Sequence, residues 1–152
     1  GLWVTGDSVI LGIRNKLAMQ TEIALINARV GRQIPELIKA VEEDKSKVGS
    51  SSVVLNVGNN NSVSRDDMVK LMELLKDQPK VVVVNTSVPR TWRVGNNKII
   101  SEVVAGYPNA VLVDWASTAE NHPEFFAPDG VHLIEAGSDV YVASILEALN
   151  LI

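Results

Sequence analysis

The sequence predicts an α/β protein of three layers, α/β/α, in which helices cover both faces of a five-stranded parallel sheet. Two observations predict this fold: short apolar runs alternate with segments of helical spacing, and the runs are rich in β-branched residues. No internal repeat or linker divides the 152 residues, and 46% are hydrophobic while 21% are charged. We therefore expect residues 1–152 to form a single domain.

Five apolar runs predict the strands. They are Leu2–Thr5, Ile23–Ile26, Val53–Val57, Val81–Val84 and Val111–Val113. The run of four valines that begins at Val81 is apolar at every position, which is typical of a strand covered on both faces. Parallel neighbours need right-handed crossovers, and we expect the flavodoxin-like strand order 2-1-3-4-5.

Segments with helical spacing lie between and after the strands. They are Val9–Met19, Ile34–Val41, Asp66–Leu75, Lys98–Val104 and Ala136–Leu149. Ser64, followed by two aspartates, is predicted to cap the third helix. The charged and then serine-rich stretch Asp44–Ser52 is expected to be a loop.

Charge and composition exclude several classes of protein. A net charge of −4 argues against nucleic acid as a partner, because such binding depends on clustered Lys and Arg. Cysteine is absent, so disulfides, thiolate metal sites and a Cys nucleophile are excluded. The chain opens directly in a strand-like segment at Leu2, and we expect it to be a domain excised from a longer membrane-bound protein.

In such sheets ligands bind beyond the carboxyl ends of the strands, so the loops that follow the strands are of most interest. Gly6-Asp7-Ser8 follows the first strand and leads directly into a helix. Ser8 would lie in the first helical turn, where the helix dipole favours a developing negative charge. Serine is also a common N-cap, so capping is the alternative interpretation.

Two further loops carry candidate hydrogen-bond donors to an oxyanion. Gly31 follows the second strand, and its N–H can approach a bound oxygen closely because glycine has no Cβ. Asn60, in Gly58-Asn59-Asn60-Asn61 after the third strand, has a side-chain amide that can donate as well. Taken alone, each loop is better explained as an ordinary turn.

Near the C-terminus, Asp129 precedes His132 by three residues. The carboxylate can accept from one ring nitrogen and leave the other to take a proton from Ser8. A turn aspartate and a surface histidine are the alternative interpretation. The other histidine, His122, lies in a loop before Pro123. We expect it to have no carboxylate partner at close spacing, and we assign it no role.

Together the Ser, Gly, Asn and His blocks resemble those of the SGNH, or GDSL-like, hydrolase superfamily along nearly the full chain. The third block departs from the more familiar Gly-Thr-Asn-Gly. A narrower set of segments is similar to the extracytoplasmic domain of Gram-positive peptidoglycan O-acetyltransferases: Gly6-Asp7-Ser8-Val9, Val30-Gly31-Arg32-Gln33, Val88-Pro89-Arg90-Thr91-Trp92, Val113-Asp114-Trp115 and Phe126-Ala127-Pro128-Asp129-Gly130-Val131-His132-Leu133.

The resemblance implies the SGNH hydrolase fold and a role for each candidate. Ser8 would be the nucleophile of a serine acyltransferase, and Asp129 with His132 would complete its triad. The N–H groups of Ser8 and Gly31 and the amide of Asn60 would form the oxyanion hole. No metal and no organic cofactor would be needed.

The resemblance also implies a substrate and a place in the cell. An acetyl group would pass through an acetyl-Ser8 intermediate to the C6 hydroxyl of N-acetylmuramoyl residues in peptidoglycan glycan strands. The acetyl donor would be delivered by a membrane acyltransferase portion that this chain lacks. The fragment would be a monomer, tethered to the extracytoplasmic face of a Gram-positive cell membrane.

Substrate binding is the least determined part of the prediction. The candidates follow the second and fourth strands: Arg32, Gln33, Val88, Pro89 and Arg90. The three tryptophans, Trp3, Trp92 and Trp115, are either sugar-stacking residues or core anchors. Two rival functions remain, namely a carbohydrate or lipid esterase that releases acyl groups to water, and a catalytically silent glycan-binding module.

Overall fold

The sheet has five parallel strands in the predicted order β2-β1-β3-β4-β5. The structure is a computed structural model that describes all residues from 1 to 152. The strands are β1 Leu2–Gly6, β2 Ile23–Ala28, β3 Val53–Asn56, β4 Val81–Val84 and β5 Ala110–Val113. Each lies within two residues of its predicted bounds, which confirms the fold class.

Helices cover both faces of the sheet. They are α1 Ser8–Ala18, α2 Ile34–Val48, α3 Arg65–Leu75, α4 Arg93–Val104, α5 Trp115–Ala119 and α6 Glu135–Ala148, with a short 3-10 helix at Pro123–Phe125. The helices α1 and α6 pack on one face, and α2, α3 and α4 pack on the other. None of the helices combines the length and apolar composition that crossing a bilayer requires.

The apolar strands contribute side chains to two separate cores, because successive side chains of a strand point to opposite faces of the sheet. Val81 and Val83 lie in the core beneath α2, α3 and α4, whereas Val82 and Val84 lie in the core beneath α1 and α6. All four are fully buried. This arrangement explains why the fourth strand is apolar throughout.

The second helix is longer than predicted, because α2 continues through Asp44 to Val48. Asp44 is buried and accepts a hydrogen bond from Asn27 Nδ2 at 2.7 Å. Its other oxygen pairs with Lys47 Nζ at 3.1 Å, and Val48 reaches the core. The predicted loop at Asp44–Ser52 is therefore wrong over its first five residues, which are helical because Asp44 has polar partners and Val48 is buried.

Other helix boundaries depend on polar contacts that carry no apolar periodicity. Ser64 caps α3 as predicted, accepting from the N–H of Asp67 at 3.1 Å. By contrast, α4 begins five residues before its predicted start, and buried Asn96 in its first turns donates to the carbonyl of Gly58 at 3.1 Å. The short α5, capped by Asp114, was not predicted.

Candidate active site

Ser8 is held at the carboxyl end of β1 by a tight strand-to-helix turn. Gly6 has no room for a side chain, since Asn56 Oδ1 lies 1.9 Å from the position that a Cβ would take. The capping residue of α1 is Asp7, whose Oδ1 accepts from the N–H of Val9 at 2.8 Å. Capping therefore does not occupy Ser8, and its hydroxyl is available to another partner.

That partner is His132, and the structure brings together the three residues proposed as a triad. Ser8 Oγ lies 2.9 Å from His132 Nε2, and His132 Nδ1 lies 2.6 Å from Asp129 Oδ2. With the ring proton on Nδ1 donated to Asp129, Nε2 is free to accept the proton of Ser8. The arrangement is that of a nucleophile, a general base and a residue that orients the base.

The loop between the 3-10 helix and α6 fixes this geometry. Asp129 Oδ1 accepts from the N–H of Val131 at 2.8 Å and from the N–H of His132 at 3.0 Å. The carbonyl of His132 in turn accepts from the N–H of Ala127 at 2.8 Å. The hydrogen bond from the ring of His132, with those from the two amides, lowers the pKa of Asp129 to about 2. The carboxylate thus stays charged beside the imidazole at any ordinary pH.

Gly31 presents a free backbone donor beside the triad. Its φ of +73° is a left-handed conformation that favours glycine. Its N–H donates to no acceptor within the protein, and nothing lies within 4 Å of the position that a Cβ would take. This N–H is therefore left as a donor for a substrate oxygen.

Asn60 borders the site as well, but its amide is already engaged. Asn60 Nδ2 donates to Asp7 Oδ2 at 3.1 Å and to the carbonyl of Arg32 at 3.2 Å, which uses both of its hydrogens. In this arrangement Asn60 joins the loops that follow β1, β2 and β3. It would reach an oxyanion only by exchanging one of these bonds.

Asp7 is a part of the site that sequence analysis missed. The side chain is buried, and its carboxylate accepts four hydrogen bonds: from the N–H of Val9 and from Nδ2 of Asn56, Asn59 and Asn60, at 2.7 to 3.1 Å. This cluster ties the nucleophile turn to the loop after β3. The run of asparagines in the sequence was the signal for this role of Asp7, because asparagine amides donate hydrogen bonds to a carboxylate without adding charge.

A cavity of about 540 Å³, which we call the triad pocket, opens over these residues. Its walls include Ser8, His132, Gly31, Gln33, Trp92 and Arg90. The side chains of Asp129 and His132 are 45% and 50% exposed, so the triad is open to solvent. The pocket thus contains Gln33 and Arg90, two of the predicted substrate-binding residues, and Trp92, for which the sequence predicts either sugar stacking or a place in the core.

The other three predicted substrate-binding residues do not line the triad pocket. The guanidinium of Arg32 turns back to donate to the carbonyl and Oδ1 of Asn27, both at 3.0 Å, and burial lowers its pKa. Val88 is only 2% exposed because it packs inside the protein. Pro89 lies against Gly130 and borders a neighbouring cavity of about 660 Å³ instead.

His122 has a partner that was not expected. Its Nδ1 lies 2.7 Å from Glu124 Oε1, and its ring stacks on Phe125 with 4.6 Å between centroids. The prediction that it lacks a close carboxylate is therefore wrong. No hydroxyl is bonded to its other ring nitrogen, so this pair does not form a second triad.

Sequence comparison identifies relatives that are much longer than this chain. No model of a known protein family matches it. The peptidoglycan O-acetyltransferase OatA of Listeria monocytogenes is 38% identical over 146 residues, which are 95% of this chain and 23% of the relative. The putative peptidoglycan O-acetyltransferase YrhL of Bacillus subtilis is 32% identical over 146 residues, which again are 95% of this chain and 23% of the relative. The chain thus spans about a quarter of the length of these relatives.

Comparison with solved structures gives the fold. The C-terminal catalytic domain of Streptococcus pneumoniae peptidoglycan O-acetyltransferase A, solved with a methylsulfonyl adduct, superposes with a TM-score of 0.82 at 25% identity and covers 99% of this chain and 93% of that one. A GDSL-like lipase from Bacteroides thetaiotaomicron gives a TM-score of 0.76 at 20% identity, covering 98% of this chain and 87% of the lipase. The chain is therefore homologous to the C-terminal catalytic domain of peptidoglycan O-acetyltransferase A, and it has the fold of the SGNH, or GDSL-like, hydrolases.

Proposed function

We propose that this chain is the catalytic domain of a peptidoglycan O-acetyltransferase, in which Ser8 carries acetyl to the C6 hydroxyl of N-acetylmuramoyl residues. The observation that carries the proposal is the continuous hydrogen-bonded series from Ser8 through His132 to Asp129. The relatives whose names contain peptidoglycan O-acetyltransferase support the choice of acceptor. A silent glycan-binding module would not require this series.

In the first half of the reaction His132 Nε2 takes the hydroxyl proton of Ser8, and Ser8 Oγ forms a bond to the acetyl carbonyl carbon of an ester. The carbonyl oxygen becomes an oxyanion. We assign its stabilisation to the N–H of Ser8, at the start of α1, and to the free N–H of Gly31. The ester C–O bond then breaks, and His132 returns the proton to the leaving alcohol.

In the second half His132 deprotonates the C6 hydroxyl of the acceptor, whose oxygen attacks the acetyl-Ser8 carbonyl. The bond to Ser8 Oγ breaks, and Ser8 regains its proton from His132. Asp129 stabilises the imidazolium that forms in each half and keeps the ring in one orientation. Asn60 joins the oxyanion hole if the longer of its two bonds, to the carbonyl of Arg32, opens when substrate binds.

The donor and the cellular location follow from the same proposal. We assign delivery of the acetyl donor to a membrane-embedded acyltransferase portion of a longer protein, with this domain, residues 1–152, as a monomer on the extracytoplasmic face of a Gram-positive membrane. The length of the relatives supports this assignment, because the chain matches 23% of the OatA of Listeria monocytogenes.

A sulfonylating reagent tests the nucleophile. Treatment with methylsulfonyl fluoride should place one adduct on Ser8, located by peptide mass spectrometry, and should abolish ester cleavage. The S. pneumoniae domain solved with a methylsulfonyl adduct supports this choice of reagent. Ser8→Ala should stay unmodified, whereas Ser46→Ala, which alters an exposed serine of α2, should react like the wild type. An unmodified Ser8 in the folded wild type would leave the glycan-binding module as the better reading.

Hydrolysis is the second candidate function, because the half-exposed triad gives water access to an acetyl-Ser8 intermediate. Both reactions use the same residues, so partition between acceptors decides between them. The wild type should be given a small activated acetyl ester with and without a soluble muroglycan, and O-acetylated sugar and free acetate should be measured. Rapid acetate release with no acetylated sugar at any muroglycan concentration would make the protein an esterase.

A further inference from the structure

One wall of the triad pocket is an indole that the mechanism above does not use. Trp92 immediately precedes α4 and is partly exposed in the same cavity as Ser8 and His132. The other two tryptophans, Trp3 and Trp115, are 0% and 3% exposed. Trp92 is therefore the single indole that a molecule in the pocket can touch.

The ring of Trp92 is held in place before any ligand arrives. Its Nε1–H donates to the carbonyl of Asn59 at 3.3 Å. The side chain of Asn59 donates in turn to Asp7 Oδ2 at 2.9 Å, within the buried cluster that carries the nucleophile turn. The indole and Ser8 thus share one rigid support, and little side-chain entropy is lost when a ligand packs against the ring.

Polar amides complete the surroundings of this ring. Gln33 and Asn61 are exposed at the edge of the pocket, where Asn61 Nδ2 lies 3.4 Å from Gln33 Oε1. A pyranose has an apolar C–H face and a rim of hydroxyl and amide groups, which match an aromatic plane beside amide side chains. The volume of about 540 Å³ is within the range of small-ligand pockets, which is roughly 300–1,000 Å³.

We propose that Trp92 is the platform on which a pyranose ring of the acyl acceptor stacks. The inference rests on the proposed function and deepens it. Stacking places a sugar hydroxyl beside the acetyl-Ser8 intermediate and raises its effective concentration relative to water. Trp92 is then the residue that favours transfer to a sugar over hydrolysis, a preference that the triad cannot supply.

Binding is tested apart from catalysis in Ser8→Ala protein, with the disaccharide N-acetylglucosaminyl-N-acetylmuramic acid as the probe. Tryptophan emission should change saturably as the sugar packs against Trp92. The change reports on this residue because the other two indoles are buried and do not contact the ligand. By calorimetry, adding Trp92→Leu should raise Kd by about tenfold or more, as for other central aromatic contacts. Trp92→Phe should restore part of the affinity, and Val94→Ala, an exposed change on α4 outside the pocket, should leave Kd unchanged.

The division of acetyl groups between sugar and water is then measured in protein that retains Ser8. Trp92→Leu should lower the ratio of acetylated sugar to free acetate by a factor similar to its loss of affinity, and Trp92→Phe should recover part of the ratio. Circular dichroism checks that each variant is folded. A Kd and a transfer ratio both unchanged in folded Trp92→Leu would overturn the platform and leave the proposed function standing. Sugar binding through Trp92 without any transfer by the wild type would instead support the subsite and overturn the transferase.

Discussion

Replacing Asp7 by Asn tests whether the buried cluster supports the active site. The single oxygen of Asn can keep two of the four hydrogen bonds, but the new amide would face the donor groups of Asn59 and Asn60. Hydrogen bonds to a charged group contribute about 1.5–3 kcal/mol each, so losing two should cost about 3–6 kcal/mol. For a chain of this size that loss corresponds to a fall in Tm of about 6–24 °C.

The assay is thermal unfolding followed by circular dichroism, with ester cleavage measured well below Tm. Asp77→Asn is the matched control, since that carboxylate is exposed and should leave Tm within about 1 °C. Ester cleavage by Asp7→Asn should fall as well, because the loop that carries Asn59 loses its anchor. A Tm within 2 °C of the wild type would refute the claim that this carboxylate organises the site.

Three further outcomes are expected. His132→Ala should lower kcat for ester cleavage by about 10²- to 10⁴-fold with an unchanged far-ultraviolet spectrum, because a half-exposed base is lost. The pKa of Asp129 is about 2 in the folded protein and near 3.9 in the unfolded chain, so its charge stabilises the fold above about pH 4 and this stabilisation is lost as pH falls towards 2. Acid unfolding curves of Asp129→Asn and wild type should therefore differ above about pH 4 and converge near pH 2. Identical curves would contradict this. Burial, with a hydrogen bond to Glu73, raises the pKa of Tyr107 to about 12, and burial raises that of Tyr141 well above its usual value, so absorbance at 295 nm should show no tyrosinate in folded protein at pH 10 and a clear signal in urea. This stabilisation by neutral phenols is present below about pH 10 and is lost as pH rises through 12.

The sequence predicted the sheet well because each buried strand is a short β-branched run, and burial on both faces leaves few alternatives. Helix ends were harder to predict. Asp44 has the polar character of a loop residue, yet its carboxylate is bound by Lys47 one turn away and by Asn27, which is 17 positions earlier and is not identified by any local pattern. The five-residue α5 is too short to show helical periodicity, and its main local signal is the cap from Asp114.

In the candidate site, too, some features could be predicted from the sequence and others could not. Ser8, Asp129 and His132 lie within hydrogen-bond distance because the parallel sheet and the packing of α6 beside α1 bring the loop before α6 to the carboxyl end of β1. Side-chain direction was not predictable from spacing, since Arg32 turns away to Asn27.

The engaged amide of Asn60 and the partly exposed indole of Trp92 could not be foreseen either. Both depend on partners in other loops, and a motif does not specify such partners.

The hydrogen bond between Ser8 and His132 joins residues 124 positions apart, almost the whole chain. No contiguous fragment that lacks either terminal region can therefore contain a working nucleophile and base. Turnover becomes a readout of complete folding: during refolding, catalysis should return only when the first and last helices, α1 and α6, have docked side by side, and it should lag any signal from the central strands.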